Sequence, residues 1–127
     1  PIKQPPPRVE PGDDEGVIRA TNGGKIVSPD GFEVTIPPGA LPQDMRIEIE
    51  RVSIGRVTDL YHLKPDGLRF LKPIMLAIPY KPAGLYEGET PYDIILKYWY
   101  TQNSPQLGLQ YSVDLGDTKL RTQVERF

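Results

Sequence analysis

One histidine and no cysteine bound the chemistry that this chain can perform. Without thiols there is no cysteine nucleophile, no zinc–thiolate centre and no disulfide. His62 would have to act alone, as the base of a Ser–His–Asp arrangement or as the single nitrogen ligand of a metal otherwise held by carboxylates. No Gly-x-Ser-x-Gly turn presents a nucleophile to it. In "LYHLKP" it alternates with Tyr61 and Leu63 and shares a strand face with Leu60 and Lys64. A partly exposed strand histidine is the plainer reading, and the chain is expected to have no catalytic residues.

Carboxylates gather at Asp13, Asp14 and Glu15 and at Asp114 and Asp117, while Asp30 and Asp66 each sit in a "PDG" triplet. Calcium would need several of them presented together, but no Asp-x-Asp-x-Asp-Gly spacing does so, and Asp before Gly is the choice of turn chemistry alone. Neither a metal nor a cofactor is expected. The other candidates are aromatic: Tyr80, Tyr86, Tyr92, Tyr98, Trp99, Tyr100 and Tyr111 concentrate in the second half of the chain. Flat rings on one surface would suit a sugar, which makes Tyr86, Trp99 and Tyr100 candidate ligand-binding residues and a glycan the alternative partner. Against this, residues 98 to 100 must alternate faces in a strand, where aromatics are favoured for packing alone.

The elements that would position these residues are strands. The 127 residues fit one domain, which can hide roughly two-thirds of its unfolded surface. Apolar residues at 38% and charged residues at 25% exclude a membrane span and a highly charged disordered chain, and no apolar run approaches a transmembrane helix. Fifteen Lys and Arg against seventeen Asp and Glu leave a formal charge of −2 without a basic block, so nucleic acid is not an expected partner. Fifteen prolines and twelve glycines, many at turn positions, argue for many short strands. Pro1 in place of an initiator Met, with no signal peptide, points to a piece of a longer polypeptide.

Residues 1–15, "PIKQPPPRVEPGDDE", read as a Pro-rich flexible linker, and residues 16–127 as the domain. Phe32, Val34 and Ile36 alternate with Glu33 and Thr35; Met45, Ile47 and Ile49 alternate with Arg46, Glu48 and Glu50. "PIMLAIPY" and "DIILKYWY" look more central, "LGLQYSVDLG" repeats the alternation, and "KLRTQVERF" turns Leu120 and Val124 inward. The breakers "NGG", "SPDG", "PPGALPQD", "KPDG", "YKPAGLYEGETP", "QNSPQ" and "LGD" separate them. The sum is an all-β, antiparallel β-sandwich of about eight or nine strands, with a single helical turn in "PAGLYEG".

One corner is stiff. Pro38 fixes its own φ and holds Pro37 extended, while Gly39 can take a φ closed to other residues, so "FEVTI" stops abruptly and Ala40-Leu41 folds back as an apolar plug. Pro37, Pro38, Gly39 and Gly67 are read as fold-determining. These residues carry a resemblance: "GGKIVSPDGFEVTIPPGALPQDMRIEI" resembles the opening of the ZU-five domain shared by zonula occludens scaffolds, netrin receptors, ankyrins and bacterial surface proteins. "VTDLYHLKPDGLRFLKPIMLAIPY" is similar to that family's second landmark. The likeness covers about residues 22–80 well and the rest loosely.

The resemblance implies a β-sandwich used for protein contacts. The Pro-rich leader and plain surface charge suit the bacterial, envelope-associated branch, giving a periplasmic or cell-surface location; a eukaryotic adaptor relative would be cytoplasmic. Some eukaryotic relatives cut themselves at His-Phe-Ser, and "VERF" places Phe127 where such a Phe would lie. Arg126 stands in the histidine's place and cannot act as a base, so a cut after Phe127 is a minor alternative. The leading expectation is a non-catalytic structural or protein-interaction module that meets a partner or a neighbouring domain of its own chain. Strand edges and the "YKPAGLYEGETP" loop are the expected contact surfaces.

Overall fold

A computed structural model describes residues 8–10, 17–98 and 107–127. Trp99 and Tyr100, Asp13 to Glu15 and most of the Pro-rich leader therefore lie outside the described residues. The described chain is all-β, with antiparallel pairing throughout, and its helical content is two single 3₁₀ turns, Pro82–Gly84 and Pro91–Asp93. The first is the helical turn expected in "PAGLYEG"; the second is an addition, closed by a capping box between Thr90 and Asp93.

The largest sheet has six strands in the order β1 (Arg8–Glu10), β3 (Gly24–Val27), β4 (Glu33–Ile36), β8 (Arg69–Pro79), β12 (Lys119–Arg126) and β11 (Ser112–Asp114). Three two-stranded ribbons accompany it: β2 (Val17–Ile18) with β5 (Met45–Arg46), β6 (Glu48–Ser53) with β7 (Leu60–Lys64), and β9 (Leu96–Tyr98) with β10 (Leu107–Leu109). Register decides which side chains meet. Val34 lies opposite Ile26 on one side and Leu76 on the other, and Ile78 and Ile74 lie opposite Leu120 and Val124. Alternation then gives this sheet one apolar face, on which Ile26, Val34, Ile74 and Leu120 are fully buried. Ile18, Ile47, Ile49 and Leu96 of the ribbons join the same core.

Some expectations need correction. Arg8–Glu10, read as part of the linker, pairs with β3 as an edge strand; these three residues are free of proline and can make a ladder. "LGLQYSVDLG" is not one strand but two in different sheets, because the chain leaves its ribbon after Leu109 and joins β12 from Ser112; Leu115 is exposed in the turn beyond. "DIILKYWY" is not central: β9 has only β10 as a partner, and Ile95 projects outward. "MRIEIERV" divides at Ile47 between two ribbons. Among the described residues twelve strands result, several of two or three residues, in place of eight or nine. "PIMLAIPY" is the end of the eleven-residue central strand, and Pro73 falls where the β8–β12 register shifts, so its missing N–H interrupts no regular ladder.

The Pro37-Pro38-Gly39 corner closes on three sides. Gly39 N donates to Ala20 O at 2.9 Å, Lys72 Nζ donates to Pro38 O at 3.0 Å, and Leu71 N donates to Ala40 O at 2.7 Å. Ala40 and Leu41 are buried beneath it. Gly39 has φ +81°, and Gly23, which packs against this corner, has φ +66°. A Cβ on Gly23 would collide with the Ile36 carbonyl and the Pro37–Pro38 backbone.

Candidate functional site

Among the described residues the β6–β7 ribbon and the β9–β10 ribbon are separate sheets, not joined by a strand ladder. Between them opens a cleft of about 680 Å³, floored by Leu76 and Ile78 of the central strand, with Phe32 and Phe127 among its walls. The volume lies within the usual range for ligand pockets, ~300–1,000 Å³. Its lining has a particular pattern. From β7 it takes consecutive residues, Leu60, Tyr61, His62 and Leu63, and from β9 the consecutive Leu96, Lys97 and Tyr98; from β6 it takes only Glu50 and Val52, and from β10 only Leu109. Alternate residues line a cavity from a strand's face, whereas consecutive residues line it from the strand's edge. The cleft therefore runs along the outer edges of β7 and β9.

Among the described residues the edge of β7 away from β6 is open. Its residues 60–64 pair with β6 and, among the described residues, make no backbone–backbone hydrogen bond outside that ribbon. Alternation sends Tyr61 and Leu63 inward and Leu60, His62 and Lys64 outward. His62 faces Glu50 across the ribbon, with Nδ1 to Glu50 Oε1 at 3.9 Å, and its Nε2 lies 2.5 Å from Asp66 Oδ1. Lys64 shares Glu50 at 3.9 Å. His62 is thus a half-exposed strand histidine held between two carboxylates, with no hydroxyl nucleophile beside it among its hydrogen-bond partners. On the opposite rim, Lys97 is exposed and has no hydrogen-bond or ion-pair partner among the described residues.

Beneath β7 lies a cluster of charges that holds this wall in place. Asp59 accepts from Gly55 N at 3.0 Å, Lys81 Nζ at 2.5 Å and Arg51 at 3.3 Å, and its side chain is only 5% exposed. Burial works against ionisation, but the Lys81 hydrogen bond, the Gly55 N–H and the charges of Lys81 and Arg51 outweigh it and keep the carboxyl below its ordinary value. Arg51 also lies 3.8 Å from Asp30, which accepts the Tyr61 hydroxyl. Burial first, then the hydrogen bond and charge of Asp30, push the Tyr61 phenol well above its usual range, so it remains a donor. Tyr61 packs on Phe32 with ring centroids 4.2 Å apart. Asp30 is consequently more than a turn residue: Ser28 and Gly31 close the turn through their backbone, leaving its carboxylate for β7.

The residues singled out in the sequence are dispersed. Tyr86 is exposed in the 81–94 loop with the Arg56 guanidinium 3.8 Å from its ring centroid, which covers one of the two faces a sugar could stack on. Arg56 also donates to Gly84 O and pairs with Glu89 at 3.3 Å, clamping the loop. Trp99 and Tyr100 lie outside the described residues, so the proposed aromatic platform is represented here by Tyr86 alone. Tyr98 donates its hydroxyl to Arg126 O, and Phe127 is buried, edge-on to Phe70, with its N–H on Leu68 O at 2.8 Å. Gly67 is exposed with φ +74° in the turn after β7, and nothing approaches the position of a Cβ there. Asp114 and Asp117 both pair with Arg121, at 3.2 and 3.3 Å. No group of three or more potential metal ligands occurs among the described residues, nor is any helix long and apolar enough to cross a membrane.

Sequence reasoning missed the cleft and the charge cluster. Of its four charges, Asp30, Arg51, Asp59 and Lys81, only Arg51 lies within a strand and the others stand in turns or loops, so their convergence gives no local signal and needs the register. Compared with known proteins, the chain matches no family model and no curated protein.

Proposed function

We propose that this domain is a non-catalytic protein-interaction module of a larger, envelope-associated polypeptide, and that the cleft between β7 and β9 is where it meets its partner. The observation that carries this reading is the open edge of β7 beside an apolar floor. Unpaired strand edges are templates for another chain, and native proteins usually protect them with charge, bulges or covering loops. Here the edge carries Lys64 near one end and adjoins the apolar residues Leu76 and Ile78. The two sequence landmarks of the ZU-five domain, whose relatives serve protein contacts, support the same reading, and the leader and charge balance support its envelope placement.

The test is photo-crosslinking from single positions in the full-length host polypeptide. A photoreactive side chain at Leu60 or Lys97, on the two rims, is expected to yield specific protein adducts, while one at Gln123, exposed on the other face of the large sheet, is expected to yield few. Equal labelling from all three positions would count against a cleft-centred contact.

A further inference from the structure

We infer that the cleft takes an extended segment of a partner protein as an added strand on β7, with apolar side chains over the Leu76–Ile78 floor and an acidic side chain opposite Lys97. This rests on the protein-interaction reading above and specifies the chemistry of the partner segment.

Three observations lead to it. First, the cavity exposes β7 along consecutive residues, and the backbone groups of 60–64 that point away from β6 have no backbone partner among the described residues, so the site offers main-chain hydrogen bonds. A side-chain pocket for a compact ligand would not need them; strand addition uses them for affinity and leaves specificity to alternate side chains. Second, the inward side of such a strand would lie above the buried Leu76 and Ile78, between the part-exposed apolar lining residues Val52, Leu63 and Leu109, which suits apolar residues at every second position. Third, the outward side would run between the outward faces of β7 and β9. On β7 His62 and Lys64 already face Glu50 and Asp66, whereas Lys97 on β9 has no counter-charge among the described residues. Opposite charges across neighbouring strands stabilise a pair and like charges destabilise it, so the outward residue nearest Lys97 should be Asp or Glu.

The probe is a fluorescent, end-blocked octapeptide alternating valine with threonine and carrying one central outward glutamate. Two companions complete the set: the same peptide with lysine for glutamate, and the glutamate peptide with N-methyl groups on alternate residues of one edge. Fluorescence anisotropy is expected to show the glutamate peptide binding more tightly than the lysine peptide, and N-methylation of the β7-facing edge weakening it by about tenfold or more through loss of two main-chain bonds. The surface substitution Lys97→Glu should reverse the glutamate-over-lysine preference. Amide hydrogen exchange at residues 60–64 should slow in the complex.

The inference is overturned if none of the peptides binds at millimolar concentration, if N-methylation on either edge has no effect, or if Lys97→Glu leaves the preference unchanged. These results are distinguishable from failure of the broader reading. Rim-specific crosslinks without peptide binding would leave a cleft-centred protein contact that is not an added strand, whereas equal labelling of Leu60, Lys97 and Gln123 removes the contact itself.

Discussion

Replacing Asp59 by Asn keeps the shape of the side chain and removes the charge on which the wall of the cleft depends. In the native protein this carboxylate receives Lys81, Arg51 and the Gly55 N–H while 5% exposed. The asparagine oxygen can still accept from Gly55, so that bond adds little to the cost. Lys81 is 41% exposed and can return to water, which limits its share to about 1 kcal/mol. Arg51 is 20% exposed and keeps only the more distant Asp30, at 3.8 Å. A lost hydrogen bond between charged groups costs ~1.5–3 kcal/mol. The expected total is about 3 kcal/mol, near the lower end for breaking a buried ion pair, and corresponds to a fall in Tm of roughly 10 °C for a domain of this size. Urea unfolding at neutral pH measures it, and a cycle with Lys81→Met isolates the coupling between the pair.

The pH dependence supplies a second check with a definite sign. The folded Asp59 carboxyl titrates below its unfolded value of 3.8. Its contribution is therefore complete above that value and is lost as pH falls through the folded pKa. The gap between native protein and Asp59→Asn should be constant at neutral pH and narrow below about pH 4. A loss under ~0.5 kcal/mol at neutral pH would match a surface ion pair and refute the cluster as a support for β7. A gap that stays constant into acid would show that the cost lies in packing and not in charge.

Two further perturbations separate backbone from side-chain causes. Gly39→Ala should cost about 1–2 kcal/mol, the penalty of a left-handed conformation, because its Cβ would meet only the flexible end of Lys72 at 3.2 Å. Gly23→Ala adds a backbone collision to the same strain and should cost at least twice as much; equal melting temperatures for the two variants would contradict the packing of the glycine turn beneath the proline corner. On the outer face of the large sheet, Glu33 is held by Lys25 and Lys119, both at 2.5 Å. Burial opposes its ionisation, but the Lys119 and Lys25 hydrogen bonds and charges bring its carboxyl below 4.5. Glu33→Gln should lower stability at neutral pH by about 1–2 kcal/mol and flatten the decline in stability below about pH 4.5, as read by thermal melts at stepped pH.

Local pattern was enough to read the fold class and the main core. The alternation of Phe32, Val34 and Ile36, of Ile74, Leu76 and Ile78, and of Leu120 and Val124 is a period of two that only a half-buried strand satisfies, and these residues are buried together. The helical turn at Pro82 and the stop after Ile36 follow equally from proline and glycine stereochemistry, which acts within a few residues. Pairing partners do not. "LGLQYSVDLG" alternates without a break, yet Leu109 faces Leu96 and Val113 faces Leu120, because pairing energy depends on distant strands that compete for the same segment. The cleft is the consequence of such a choice: β7 takes β6 and β9 takes β10, leaving their outer edges facing one another over Leu76 and Ile78. Asp30 and Lys81 show the same limit, since a "PDG" aspartate and a loop lysine look solvated in sequence and become parts of one buried charge cluster only when Arg51, Asp59 and Tyr61 are folded between them. Sequence alone determined the fold class and the apolar face of the main core strands, because alternation is a local property. Tertiary structure alone decided which edges stay open and which charges meet, because both are set by contacts between segments far apart in the chain.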